Sequence, residues 1–164
     1  MPSNLKSLAR QLGTCLIKQH QLLTAAESCT GGGLSYWITS IPDSSFWFER
    51  GFVTYSNQAK IELLGVRPET IKQFGSVSEE TAREMAEGAL HHSLATMSVS
   101  ITGLTGPTRG DSFYPVGTIW VAIARTEQPT LAKHYFFQGS RQKIRIQTME
   151  AVFTALLSLF HNTA

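Results

Sequence analysis

Near the amino terminus, apolar residues recur at steps of three and four, which is the period of an α-helix with one buried face. The stripe consists of Leu5, Leu8, Ala9, Leu12, Leu16 and Ile17. A short apolar run over 21–26 follows and predicts a buried strand. It leads into a glycine-rich turn over 27–33 and a second helix over 34–40. The chain therefore begins as helix, strand, tight turn and helix.

A second strand and helix follow in the same order. Aromatic and β-branched residues are frequent over 46–55, as is typical of a strand. Ser56 or Asn57 is suited to cap the helix predicted over 58–64, and Gly65 is suited to end it.

The second half of the chain adds a helix, three strands and a final helix. Ser78 is followed by Glu79, Glu80 and Thr81, which resembles a capping box, and the helix that begins there should reach about residue 95. The remaining predicted elements are a strand over 97–102, a loop of turn formers over 103–111, a hairpin over 116–125 and 131–137, and a last helix over 140–160.

Alternating strands and helices predict an α/β fold in which helices cover both faces of a central sheet. Because the late strands form a hairpin, we expect a three-layer α/β/α sandwich with a mixed, mostly parallel central sheet. A chain of 164 residues, 42% of them hydrophobic, has the usual size of one domain, so we expect a single domain over 1–164. Ligands of such folds bind where the strands end. The turns at Ser28, 55–60 and 103–111 should therefore converge.

Charge and composition argue against several classes of function. Fourteen lysines and arginines nearly balance twelve acidic residues and are scattered along the chain, which predicts no nucleic-acid surface. No apolar run approaches the roughly 18 residues of a membrane span, and the amino terminus lacks the apolar core of a signal peptide. We expect a cytoplasmic protein that binds neither nucleic acid nor membrane. Cys15 and Cys29 should be free thiols.

The first candidate for chemistry is Ser28, which stands between a strand and a run of glycines. A hydroxyl at the start of a helix lies near unpaired backbone amides, which can hold an oxyanion or a phosphate. Ser28 is therefore a candidate nucleophile. The alternative is a helix-capping serine followed by glycines that serve close packing. Cys29 is the rival nucleophile, although an adjacent side chain usually points the other way.

The second candidate is the pair formed by Tyr55, at the end of a strand, and Lys60, in the first turns of the next helix. A phenol and an amine placed there can both reach a nearby hydroxyl. A lysine acts as a base only when burial or a neighbouring cation lowers its pKa. The alternative for Lys60 is an ordinary surface lysine.

The third candidate joins the glycine loop after residue 101 to the start of the last helix. Arg141 and Arg145 lie one helical turn apart and suit a phosphate, whereas exposed arginines at this spacing are also commonly solvated. The loop glycines allow close backbone approach to a ligand or simply satisfy turn geometry. The five histidines show no spacing typical of metal ligands, so we predict no metal site.

Five motifs in this order and spacing resemble the CinA C-terminal domain family over nearly the whole chain. They are T-A-A-E-S-C-T-G-G over 24–32, V-T-Y-S-N over 53–57 with Lys60, G-S-V-S-E-E over 75–80, Thr102-Gly103 with Gly106-Pro107, and P-V-G-T over 115–118. The resemblance implies an amidase that hydrolyses nicotinamide mononucleotide to nicotinate mononucleotide and ammonia, with no metal or cofactor. It also implies a homodimer or a higher homo-oligomer.

The resemblance also implies roles for individual residues. Ser28 is the expected nucleophile, and Tyr55 and Lys60 are expected to position and deprotonate its hydroxyl. Arg141, with Arg145 as a second candidate, is expected to contact the 5′-phosphate, and backbone amides over 30–32 to stabilise the oxyanion. The other residues expected to line the substrate site are Glu27, Thr30, Gly31, Gly32, Thr102, Gly103 and Gly106.

The chain departs from the family pattern over 108–114, where bulkier side chains replace a glycine-rich stretch. This departure leaves open a catalytically silent, nucleotide-binding or regulatory paralogue of the same fold. A third interpretation treats the chain as an oligomeric interaction domain in which the aromatic segment 46–48 is an exposed dimer surface.

Overall fold

The computed structural model describes residues 2–161 of the chain, which form six α-helices and five β-strands. The helices are α1 (Pro2–Lys18), α2 (Gly33–Thr39), α3 (Asn57–Leu64), α4 (Pro68–Phe74), α5 (Glu79–His91) and α6 (Arg141–His161). The strands are β1 (Leu23–Glu27), β2 (Phe48–Val53), β3 (Met97–Gly103), β4 (Thr118–Arg125) and β5 (Gln128–Phe136). A 3₁₀ turn covers Ser44–Phe46.

The five strands form one sheet in the order β2-β1-β3-β4-β5. β1 pairs in parallel with β2 and with β3, while β4 pairs antiparallel with β3 and with β5. Four strands therefore run in one direction and β4 runs against them, which confirms the mixed sheet. The parallel strands β1, β2 and β3 end at the same edge, so the turns that follow them lie close together.

Helices cover both faces of the sheet, which confirms the three-layer α/β/α sandwich. On one face, α1, α2 and α6 share a core with apolar side chains of β1, β3 and β4, among them Ala25, Val99 and Val121. On the other face, α3 and α5 pack near Ala26 of β1, with Ile71 of α4 beside them.

The face of β3 toward α5 carries small hydroxyl side chains. Ser98 and Ser100 are fully buried, and their hydroxyls donate to the carbonyls of Ala86 and Ala82. These bonds satisfy the hydroxyls without water, so α5 lies close against the centre of the sheet.

Most helix ends follow the sequence signals. Ser56 and Ser78 cap α3 and α5 through side-chain bonds to backbone amides, and Gly65 ends α3 in a left-handed conformation. α5 ends at His91, earlier than predicted. The helix α4 is absent from the sequence prediction, although Pro68 at its first turn is a recognisable start signal.

Two apolar residues lie where the pattern did not place them. Ile17 belongs to the predicted buried stripe of α1 but is 51% exposed. Trp47 belongs to the predicted exposed segment 46–48 but is buried, and it packs so tightly on α1 that a Cβ at Gly13 would lie 2.6 Å from its ring. The prediction of Trp47 as part of an exposed dimer surface is therefore wrong, although Phe46 is exposed.

None of the helices in residues 2–161 combines the length and the apolar character that a membrane span needs.

Candidate active site

The turns after β1 and β2 bring a serine hydroxyl and a lysine amine together. Ser28 directly follows β1, and Lys60 lies in the first turns of α3, which follows β2. The Nζ atom of Lys60 lies 3.1 Å from the Oγ atom of Ser28, as a hydrogen-bond donor to it. The two turns therefore converge, as predicted, and bring together residues that are 32 positions apart in the sequence.

Lys60 is a buried lysine whose amine has no carboxylate partner among residues 2–161. Its side chain is 1% exposed, and its amine also donates to the carbonyls of Thr54 at 2.8 Å and Tyr55 at 3.3 Å. Burial lowers the pKa of Lys60 to about 8 because it removes water from the ammonium, and the neighbouring Cys29 acts in the opposite direction. The surface-lysine alternative is therefore wrong, and the amine is suited to act as a base near neutral pH.

The rival nucleophile Cys29 lies in a different environment. It is buried in the core shared with α1, α2 and α6, and burial raises the pKa of its thiol to about 12. A thiol that keeps its proton is a poor nucleophile. Ser28, which retains 8% exposure and contacts the amine, is better placed for attack on a substrate.

Glu27 lies beside Ser28 in the sequence, but its carboxylate is directed into the protein. It is fully buried and accepts hydrogen bonds from the Thr30 hydroxyl at 2.6 Å, the Leu34 amide at 3.0 Å, and the amide and hydroxyl of Ser35 at 2.9 and 2.8 Å. These four donors occupy the carboxylate. The structure therefore places Glu27 as a support of the turn rather than as a group that faces the substrate.

The glycine-rich turn has a defined hydrogen-bond pattern. Gly31 and Gly32 have φ angles of 57° and 90°, which favour glycine at both positions. The Gly31 amide donates to the Ser28 carbonyl at 3.0 Å and is therefore already used. Within residues 2–161, the amides of Thr30 and Gly32 donate to no carbonyl or side chain. Thr30 is fully buried, so a ligand cannot reach its amide. Of the predicted oxyanion donors, the amide of the half-buried Gly32 remains.

Arg145 connects α6 to the same turn. Its guanidinium donates to the Thr30 carbonyl at 2.7 Å and lies against Gly31, where an added Cβ would be 3.4 Å from Nη2. Its Nε atom is buried and has no partner within the described residues. Arg145 thus lies next to the Ser28 turn, and one of its donors has no partner within residues 2–161.

Tyr55 differs from its predicted position. Its phenol is exposed and accepts a hydrogen bond from Arg141 at 3.2 Å, whereas Ser28 and Lys60 are not among the partners of its hydroxyl. The second Arg141 nitrogen donates to the Gly106 carbonyl at 2.7 Å. The phenol, the arginine and the loop after β3 therefore meet, while Tyr55 contacts Lys60 through its backbone carbonyl alone.

Thr102 and Gly103 stabilise the backbone around the site. The Thr102 hydroxyl donates to the Ser76 carbonyl at 2.7 Å, and both are part of the connection between β3 and the segment before α5. A Cβ at Gly103 would lie 2.3 Å from Cδ1 of Ile119, so glycine is needed there for close packing on β4. Neither observation places these two residues against a ligand.

The unusual loop 108–114 lines a cleft of about 390 Å³. Asp111, Ser112, Phe113 and Tyr114 form one side and the end of α4 the other. Ser28 and Lys60 do not line this cleft. The candidate active site is therefore identified by the contact between these two residues and not by the cleft. The cleft adjoins it because Asn57 and Leu104, from the turns that carry Tyr55 and Gly106, also line it. The bulky loop residues thus shape a neighbouring surface.

Among residues 2–161, no three histidine, cysteine, aspartate or glutamate side chains lie together in a group that could hold a metal ion.

Curated relatives match the chain over nearly its full length. A nicotinamide-nucleotide amidohydrolase PncC of Escherichia coli is 45% identical over 162 residues, which cover 98% of this chain and 98% of that protein. A protein of the same name from Pseudomonas putida is 41% identical over 153 residues, covering 93% and 95% of the two chains.

Solved structures and a family model agree with this match. The competence damage-inducible protein A of Klebsiella pneumoniae superimposes with a TM-score of 0.93 at 31% identity and covers 98% of this chain and 99% of its own. The competence/damage inducible protein CihA of Agrobacterium tumefaciens gives a TM-score of 0.91 at 38% identity over 95% of both chains. The family model of the CinA C-terminal domain matches residues 5–160. This chain therefore belongs to the CinA C-terminal domain family.

Proposed function

We propose that this protein is a nicotinamide-nucleotide amidohydrolase that converts nicotinamide mononucleotide and water to nicotinate mononucleotide and ammonia, with residues 1–164 acting as one amidase domain. The observation that carries the proposal is the 3.1 Å contact between Ser28 Oγ and the buried Lys60 amine. Relatives named nicotinamide-nucleotide amidohydrolase, with 41% and 45% identity, support the substrate class. The cytoplasmic location and the homo-oligomer stay predictions from the sequence.

In the proposed first step, the neutral amine of Lys60 takes the proton of the Ser28 hydroxyl while Oγ attacks the carboxamide carbon. The carbonyl oxygen becomes an oxyanion, which the free amide of Gly32 stabilises by a hydrogen bond. The ammonium of Lys60 then protonates the amide nitrogen, the carbon–nitrogen bond breaks, and ammonia leaves an acyl-enzyme.

In the second step, water replaces ammonia at the same carbon. Lys60, again neutral, takes a proton from the water, and the hydroxyl adds to the acyl carbon. The carbon–Oγ bond then breaks, Ser28 recovers its proton from Lys60, and the nicotinate product leaves. One amine thus serves as base and then as acid in each half of the reaction, which a pKa near neutrality favours.

The direct test is an ammonia-release assay on the purified chain with nicotinamide mononucleotide, run with and without a chelator. We expect ammonia and nicotinate mononucleotide in equal amounts, unchanged by the chelator because Lys60 supplies the base. Binding of the mononucleotide by calorimetry with no ammonia would instead favour the silent nucleotide-binding paralogue. Absence of both binding and turnover would reject both functions.

Arg141 provides a test of the substrate's phosphate group. Arg141→Met is expected to raise the KM for nicotinamide mononucleotide by roughly 10- to 150-fold, because a hydrogen bond to a charged group contributes about 1.5–3 kcal/mol. Nicotinamide riboside, which lacks the phosphate, should be turned over by the variant as by the wild type. Steady-state kinetics on both substrates measure the difference.

The control for this prediction is Tyr55→Phe, which removes the hydroxyl that Arg141 contacts but keeps the guanidinium. It should leave the ratio of the two KM values unchanged. If Arg141→Met raised the KM for both substrates equally, Arg141 would serve only to hold the loop at Gly106, and the proposed contact with the phosphate would be rejected.

A further inference from the structure

Glu27 is a fully buried acidic residue whose side chain the proposed reaction does not use. Each carboxylate oxygen accepts two hydrogen bonds: Oε2 from the Thr30 hydroxyl and the Leu34 amide, and Oε1 from the amide and the hydroxyl of Ser35. All four distances lie between 2.6 and 3.0 Å. Within residues 2–161, this carboxylate accepts four hydrogen bonds and forms no salt bridge, so its acceptor capacity is filled by neutral donors.

These hydrogen bonds require glutamate rather than glutamine at position 27. Both Oε1 and Oε2 accept from a backbone amide, and a backbone amide can only donate. A glutamine at this position has one oxygen and one NH₂ group, so in either orientation its NH₂ faces a backbone donor. The local geometry is therefore specific for a carboxylate.

The backbone of Ser28 is anchored on both sides by the sheet. The Ser28 amide donates to the Ile101 carbonyl of β3 at 3.0 Å, and the Thr54 amide donates to the Glu27 carbonyl at 2.8 Å. The segment that follows leaves the sheet and contains three consecutive glycines over 31–33. Its own backbone bonds, from the Gly31 amide to the Ser28 carbonyl and from the Gly33 amide to the Thr30 carbonyl, shape the turn, and side chains attach it to the rest of the protein.

Within this segment, Thr30 is the residue that is bound by the side chains of Glu27 and Arg145. Its hydroxyl is bound to Glu27, and its carbonyl accepts from Arg145 at 2.7 Å. Thr30 is also fully buried, so water does not compete for these bonds. The proposed oxyanion donor is the amide of Gly32, two residues after Thr30, because the fully buried Thr30 has no surface that a ligand could reach. A shift of Thr30 would move this donor relative to the Ser28 hydroxyl.

We propose that Glu27 is a positioning residue: through the Thr30 hydroxyl, its buried carboxylate holds the glycine-rich turn so that the Gly32 amide faces the carbon attacked by Ser28. The catalytic part of this inference rests on the proposed function. Preorganised amides of this kind supply a large share of transition-state stabilisation in acyl transfer, and a small displacement lowers kcat. Glu27 acts through Thr30 and touches no substrate.

The test compares two hydroxyl bonds to the same carboxylate. Thr30→Val removes the 2.6 Å bond on the side of the Ser28 turn and keeps the shape of the side chain. Ser35→Ala removes the 2.8 Å bond on the side of α2 and is the matched control. We expect Thr30→Val to lower kcat about tenfold with KM within about twofold. Ser35→Ala should leave kcat within about twofold, although both variants lose some thermal stability.

Glu27→Gln should lower kcat further than Thr30→Val, because it disturbs a backbone bond as well, and Glu27→Asp should restore part of the loss. Equal kcat values for Thr30→Val and Ser35→Ala, in folded protein, would overturn the positioning role. Equal thermal destabilisation with unchanged kcat in both would overturn it too.

Hydrogen exchange separates this inference from the proposed function. Peptides that cover 28–35 should exchange faster in Thr30→Val than in the wild type and in Ser35→Ala. If wild-type protein releases no ammonia, the amidohydrolase proposal fails, and exchange still decides whether Glu27 holds the turn. Unchanged exchange in Thr30→Val would reject that support regardless of activity.

Discussion

Replacing Ser28 by alanine is expected to lower ammonia release from nicotinamide mononucleotide by at least about 1,000-fold, as loss of the nucleophile does in hydrolases that form an acyl-enzyme. The variant retains the Lys60 amine and the backbone amides, but no oxygen remains to attack the carboxamide carbon. Ser28 is small and, in the part of the chain that the structure describes, its hydroxyl accepts a hydrogen bond from Lys60 alone, so the fold should be unchanged. A thermal unfolding curve and the ammonia assay measure the two properties separately.

Cys29→Ala is the control for this prediction. It changes the neighbouring residue, which is buried and carries a thiol whose pKa is raised to about 12. Activity should stay within about threefold of wild type, since a protonated core thiol takes no part in the reaction. Full turnover by Ser28→Ala together with loss in Cys29→Ala would exchange the two assignments. Mass spectrometry of acid-quenched enzyme with substrate should detect the acyl group on wild type and on Cys29→Ala.

The contact between Ser28 and Lys60 was predictable because it depends on topology. Parallel strands joined by helices must end at the same edge of the sheet, so a serine after one strand and a lysine after the next approach each other. The burial of Lys60 was not predictable in the same way. The sequence of α3 has no hydrophobic period that shows whether the side chain of Lys60 points into the protein or toward solvent.

The directions of Glu27 and Tyr55 depend on local turn geometry that the sequence does not reveal. Glu27 ends β1, and its side chain reaches the start of α2 because the glycines between them bend the chain back. Tyr55 follows β2, outside the pleat that would have set its side, and its phenol turns toward Arg141. A motif thus identifies neighbours along the chain but not which of them face the reacting atoms.

The helix α4 was missed because distant contacts support it. It has seven residues, too few to be stable alone. Glu84 of α5 accepts hydrogen bonds from the Arg67 amide at 2.8 Å and the Thr70 hydroxyl at 2.6 Å, at the start of α4. Such support from another helix leaves no pattern within the segment itself. The burial of Trp47 was missed for the same reason, because the surface of α1 on which it packs lies more than thirty positions earlier.

The pH dependence of activity should follow the depressed pKa of Lys60. With a pKa of about 8, the amine is about 1% neutral at pH 6 and half neutral at pH 8, so kcat/KM should rise about 50-fold between them. Activity should level off above pH 8. Lys60→Met should lower kcat by about 1,000-fold and abolish this limb of the profile. Lys72→Met, at an exposed lysine of α4, should retain both the rate and the profile.

Stability should respond to pH with a defined sign. Lys60 binds its proton up to a pKa near 10.5 in the unfolded chain but only up to about 8 in the folded protein. Between these values the unfolded state holds more protons, so the free energy of unfolding rises with pH. Relative to Lys60→Met, the wild type should gain up to about 3 kcal/mol from pH 8 to pH 10.5. Urea unfolding of both proteins at these pH values measures the gain. A constant difference would mean that Lys60 remains an ammonium in the folded protein, and the amine would then be excluded as the base that activates Ser28.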